Sequence, residues 1–148
     1  MIIDRLGEIV ASLLVYAQLA TGYGAPTAPP DIVFLPQAEL ARAVCHKPCP
    51  IYGWYPLDRV IYLDERLDPV HDLEARGILL HELVHYLQHG AGAFTDDIAC
   101  RNWARREYQA YKVQAQWLKE KRVAASAYLG AGRAPWALAC RQGTSERN

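Results

Sequence analysis

Apolar positions along the chain follow two different periods, and the switches between them mark out the elements. Leu6, Ile9, Val10, Leu13 and Ala17 recur at helical spacing and predict an amphipathic helix over residues 4–20. It stops at "TGYGAPTAPP", whose glycines and prolines do not sustain a helix. "DIVFL" then reads as a short buried strand, and "PQAELARAV" as a helix opened by Pro36 in its first turn. "CHKPCP" is a constrained turn, while "IYGWYP" and "RVIYLDE" are β-rich runs joined by "PLD", which suits a hairpin. A third helix is expected from Asp72 to Gly90, the glycine serving as a left-handed cap. From Asp97 the pattern predicts one long helix reaching Leu129, its acidic start and its later Lys119, Lys121 and Arg122 matching the helix dipole. Gly130 and Gly132 end it, a short "PWALAC" segment follows, and residues 141–148 read as a frayed tail. The sum is an α+β fold, mostly helical with a small sheet.

Composition narrows this picture. A chain of 148 residues with 51% hydrophobic content suits a single domain, residues 1–148, around one core. Sixteen basic and sixteen acidic residues cancel, so no basic excess points to nucleic acid or an anionic membrane as partner. No apolar run approaches the roughly 20 residues that span a bilayer. "EIVASLLVYAQLA" resembles the apolar part of a signal peptide, but Asp4 and Glu8 spoil the basic leader, so it is read as a core helix. An export signal, if the precursor carries one, is then missing from this chain.

The four cysteines, Cys45, Cys49, Cys100 and Cys140, fit two disulfides, most simply Cys45–Cys49 and Cys100–Cys140, and point to an exported protein. Four cysteines allow three pairings. Two alternatives stay open: a metal site from Cys45, His46 and Cys49, which lacks a second ligand pair nearby, and four buried thiols in a cytosolic protein.

The candidate chemistry lies in "GILLHELVHYLQHG", residues 77–90. On a helical wheel Leu79, Leu80, Leu83, Val84 and Leu87 gather on the side that must anchor the helix. His81, His85 and His89 gather on the other, with Glu82 beside them. One turn separates His81 from His85, so both imidazoles can reach a single ion, and Glu82 sits where a water on that ion would lie. Three fixed positions arise by chance in on the order of 1% of chains this long. A solvent-facing polar stripe therefore remains an alternative until a second element supports the site.

The long helix provides that support. Trp103, Ala110, Tyr111, Trp117 and Leu118 form its apolar face, and Arg105, Gln109, Lys112, Gln116 and Lys119 its wet face. Glu107 and Gln114 fall within the apolar face. A carboxylate there loses its hydration and needs a partner: a metal ion, or a buried salt bridge to Arg101 or Arg5. From Gly90 back to His81 is about 13 Å, and from Asp97 forward to Glu107 about 15 Å. A short loop makes the helices antiparallel, so His81, His85 and Glu107 can meet.

"HELVH" on one helix, with a glutamate in "REYQAY" on the next, resembles the gluzincin branch of the zincin metallopeptidases over about residues 57–118. The resemblance implies a minimal zincin-like domain with Zn2+ held by His81, His85 and Glu107. It makes Glu82 the general base and a peptide or protein the substrate. It also puts "RVIYLDE" in the place of the sheet-edge strand along which an extended peptide lies. The metzincin pattern fails, because Gln88 and Ala91 stand where it has glycine and histidine. No second lobe is evident. For an oxyanion donor Tyr111 or Tyr108 is the candidate by position on the second helix, Tyr111 being preferred, with His71 and His89 weaker; tyrosines so placed are more often core or rim residues. The expectation is a zinc-dependent hydrolase, a peptidase. Its rivals are a zincin-like binding module with a structural metal, and a metal-free domain in which Glu107 pairs with an arginine.

Overall fold

In the computed structural model, residues 4–46, 49–95 and 98–124 are described. They form four helices, α1 (Arg5–Thr21), α2 (Gln37–Cys45), α3 (Leu73–Ala91) and α4 (Ala99–Glu120), and three strands, β1 (Asp31–Leu35), β2 (Gly53–Trp54) and β3 (Val60–Asp64). The α+β expectation holds, with helices dominating a small sheet. No helix among the described residues is long and apolar enough to cross a membrane.

The sheet order is β1-β3-β2, with β1 parallel to β3 and β2 antiparallel to it. The hairpin expected between the two β-rich runs is therefore present, as β2 and β3. Two other expectations about the sheet fail. β3, in "RVIYLDE", is central, hydrogen-bonded on both sides, so it offers no free edge to a peptide; β2 holds the edge instead. β1 is not buried either: Val33 and Phe34 are each 38% exposed. An edge strand has one neighbour, and here the helices cover β3, whose Ile61 and Leu63 are fully buried.

α3 is the central helix. Leu79, Leu80, Leu83 and Val84 are fully buried, packed with α1 residues Val10, Leu13, Leu14 and Ala17 and with Val113, Trp117 and Leu118 of α4. Its histidine side is covered too: His81 is 7% exposed and Glu82 6%, so the solvent-facing stripe is excluded. Asp72 caps α3 by accepting from the Glu74 amide. The left-handed cap is Gly92 (φ 63°), two residues beyond the expected Gly90.

α1 follows its periodicity closely. Asp4 caps it and Gly22 (φ 81°) closes it. α2 begins one residue later than expected, with Pro36 as its cap rather than within its first turn. α4 departs more. It starts at Ala99 without an acidic first turn, and Asp97 lies outside the described residues. It ends at Glu120 instead of Leu129: Arg122 turns left-handed (φ 60°) and the Val123 amide donates back to the Leu118 carbonyl at 2.9 Å. Val123 packs on the core, and that apolar contact favours the closing turn over another helical one. Gly130, Gly132, "PWALAC" and the tail lie outside the described residues.

Cys45 and Cys49 form a disulfide, as expected from the spacing. That removes the Cys45–His46–Cys49 metal site and the four-thiol alternative. Cys140, and with it the Cys100–Cys140 pairing, lies outside the described residues.

Candidate metal centre

α3 and α4 run antiparallel, and their contacts step in opposite senses along the two chains. Gly77 meets Leu118, His81 meets Gln114, and Gln88 meets Arg106 and Gln109. Gly77 permits this closeness, because a Cβ there would lie 3.1 Å from the Leu118 side chain. One ligand atom each from His81, His85 and Glu107 then falls within 4.8 Å of the others.

The contacts are specific. His85 Nε2 lies 2.7 Å from Glu107 Oε1, His81 Nε2 3.3 Å from Oε2, and the two Nε2 atoms are 3.1 Å apart. Glu107 is 18% exposed, so its partners here are two imidazoles rather than Arg101 or Arg5. Each remaining imidazole nitrogen faces an amide: His81 Nδ1 is 3.1 Å from Gln114 Oε1, and His85 Nδ1 is 2.8 Å from Gln88 Oε1. Two imidazole nitrogens and one carboxylate, aimed at one point beside an open cleft, fit the donor set of a three-ligand catalytic zinc.

Electrostatics separate the two carboxylates. Burial alone would raise Glu107, but its hydrogen bonds to His81 and His85 and their charge outweigh that and hold it well below the usual carboxylate range. Burial would lower His85, and Glu107 more than reverses this, carrying the imidazole up to about 9. Glu82 moves the other way. Desolvation raises it, and the attraction of the nearby imidazoles only partly opposes the shift. β2 closes over it: a Cβ on Gly53 would lie 3.0 Å from Glu82 Cγ and Oε1 and would crowd the side chain.

A cleft of about 720 Å3 opens on this group, walled by Tyr52, Trp54 and Tyr55 on one side and by Trp103, Arg106 and Tyr111 on the other. The Tyr111 ring packs on His81 with centroids 4.3 Å apart, and burial together with Glu107 and Glu82 raises its hydroxyl, which therefore stays a donor. Of the other three candidates, two do not line this cleft. Tyr108 is exposed on the opposite face of α4, lining a separate groove between α4 and α1. His71 is on the surface, paired with Asp68 at 2.7 Å. His89 lines the cleft, but its Nδ1 is 2.7 Å from the Tyr55 hydroxyl and it stands outside the ligand group.

Sequence reasoning misplaced or missed four residues. Trp103, assigned to the apolar face, is 39% exposed at the cleft. Gln109, assigned to the wet face, is half-buried and bonded to Tyr23 and Gln88. Gln88 was visible as a helical neighbour three residues after His85. Gly53 had no signal, since its role depends on a strand packing over α3.

Comparison with curated proteins and with solved structures finds no match in either. Residues 4–131 match the family described as a domain of unknown function, DUF6647, and over so much of its length the chain belongs to that family.

Proposed function

We propose that this chain is a zinc-dependent hydrolase of the HExxH type, a peptidase acting on an extended peptide. One observation carries the reading: three ligand atoms of His81, His85 and Glu107 converge while a second carboxylate, Glu82, is buried beside them and stands outside that group. A purely structural site has no use for a desolvated carboxylate next to its ligands.

A bound zinc would supply Lewis-acid polarisation of a carbonyl and acidify a water. His81, His85 and Glu107 would hold it, and with both imidazoles neutral the centre keeps a net positive charge. Glu82, its basicity raised by burial, takes a proton from the attacking water and delivers it to the leaving amine. Tyr111 donates to the developing oxyanion from the cleft wall. The Cys45–Cys49 disulfide supports an exported protein.

The deciding experiment is Glu82→Gln. It keeps the shape and a hydrogen-bonding group but accepts no proton. The variant should fold and bind one zinc per chain like the wild type, with peptide hydrolysis lower by roughly 10²–10⁴-fold. Equal turnover in both forms refutes the mechanism, and absence of turnover in both leaves a zinc-binding module.

A further inference from the structure

Both candidate ligand imidazoles are backed by glutamines rather than by carboxylates, and one glutamine is locked at its far end. Gln88 is almost fully buried. Its Nε2 donates to the Arg106 backbone carbonyl at 3.0 Å and to Gln109 Oε1 at 3.0 Å. A backbone carbonyl only accepts, so the amide nitrogen must face Arg106 and the amide oxygen must face His85. An oxygen at 2.8 Å from His85 Nδ1 requires the hydrogen on that nitrogen. In the neutral ring, Nε2 is then left with a lone pair toward Glu107 and His81. Gln109 is fixed in turn, because Tyr23 donates to its Oε1 at 2.8 Å.

We propose that Gln88 and Gln114 are positioning residues that set the tautomers of His85 and His81 for metal binding. We further propose that the chain Tyr23–Gln109–Gln88 extends this control of His85 to the segment following α1. The proposal rests on the metal-centre reading above. Amides perform this task without adding charge. Carboxylates behind both imidazoles would cancel the positive charge of a zinc already holding Glu107, and so weaken its pull on a carbonyl oxygen.

The test is zinc affinity, measured with zinc alone by competition against a chromophoric chelator, on the full chain with folding checked by circular dichroism. Gln88→Met and Gln114→Met keep side-chain length but remove the acceptor, and each should weaken zinc binding about 10–100-fold. Gln114→Glu should hold zinc at least as tightly as wild type, because a carboxylate makes the imidazole a stronger donor. A structural role alone would move the Met and Glu variants in the same direction. Tyr23→Phe, remote from the ligands, should weaken binding by roughly 2–5-fold, the weight of one neutral hydrogen bond. It and the Gln114 pair decide the matter if Gln88→Met does not fold. A wild-type chain that takes up no zinc overturns the metal centre itself. Zinc bound normally by wild type and equally by the folded Met variants overturns the positioning role alone.

Discussion

Two walls of one cleft each present a glutamate to the same space, and the two behave oppositely. On the α3 wall, Glu82 faces the underside of β2, where Gly53 stands so close that a single methyl would crowd it, and burial raises its pKa. On the α4 wall, Glu107 meets two imidazole nitrogens and is held as a carboxylate. The residue type is the same, and burial by itself would raise the pKa of both. What differs is the charge each finds within hydrogen-bonding reach, and that drives their pKa values in opposite directions.

The comparison can be broken most severely at Glu107. Glu107→Ala should abolish tight zinc binding, because it leaves two imidazoles on one helix turn of the three-residue ligand group, and hydrolysis should vanish with the metal. Elemental analysis after purification checks this. Retained stoichiometric zinc would show that α4 contributes no ligand. The expected loss exceeds that of Glu82→Gln, which spares the metal.

The opposite wall can be sharpened through Gly53. A Cβ 3.0 Å from Glu82 presses on the carboxylate, while none of its three nearest atoms belongs to His81, His85 or Glu107. Gly53→Ala should cost about tenfold in hydrolysis with zinc content unchanged, the result of displacing a base rather than removing it. Should zinc content fall in step with activity, Gly53 supports the whole centre and the two walls are not separable.

The smallest effect expected is on metal-free stability. His85 is raised from 6.5 to about 9, so its contribution is complete below 6.5 and is lost as pH rises through about 9. Glu107 is lowered from 4.5, so its contribution is complete above 4.5 and is lost as pH falls toward its folded value. The pair therefore stabilises the metal-free chain most between about pH 4.5 and 6.5. Its Tm, measured in chelator, should drop by a few degrees from pH 6.5 to 9.5, and Glu107→Ala should flatten that slope. An equally steep slope in the variant would assign it to other groups.

Much of this was readable in one dimension. The helical periods located α1 and α3, and alternating runs located the β2–β3 hairpin. The pair HELVH and a glutamate stranded among Ala110, Trp117 and Leu118 named four residues, His81, Glu82, His85 and Glu107, that the structure brings to one cleft. These features are local: spacing along a helix dictates which side chains share a face. The errors have a common source. β1 was read as buried and β3 as an edge because strand order follows from long-range pairing, which a run of apolar residues does not encode. The overlong α4 arose because nothing local breaks the pattern at Glu120; the turn is favoured by Val123 reaching the core.

The amino-acid sequence by itself therefore determined which groups could do chemistry, since HExxH and Glu107 need only helical geometry and one short connection to meet. Tertiary structure decided the state of those groups. How closely Glu82 is covered, what faces each imidazole, and how Gln88 is held depend on Gly53, Gln88, Gln114 and the Arg106 carbonyl. Most of these lie more than ten residues from the group they govern. Hydrogen-bond direction and desolvation are properties of what surrounds an atom in space, and only folding assembles those surroundings.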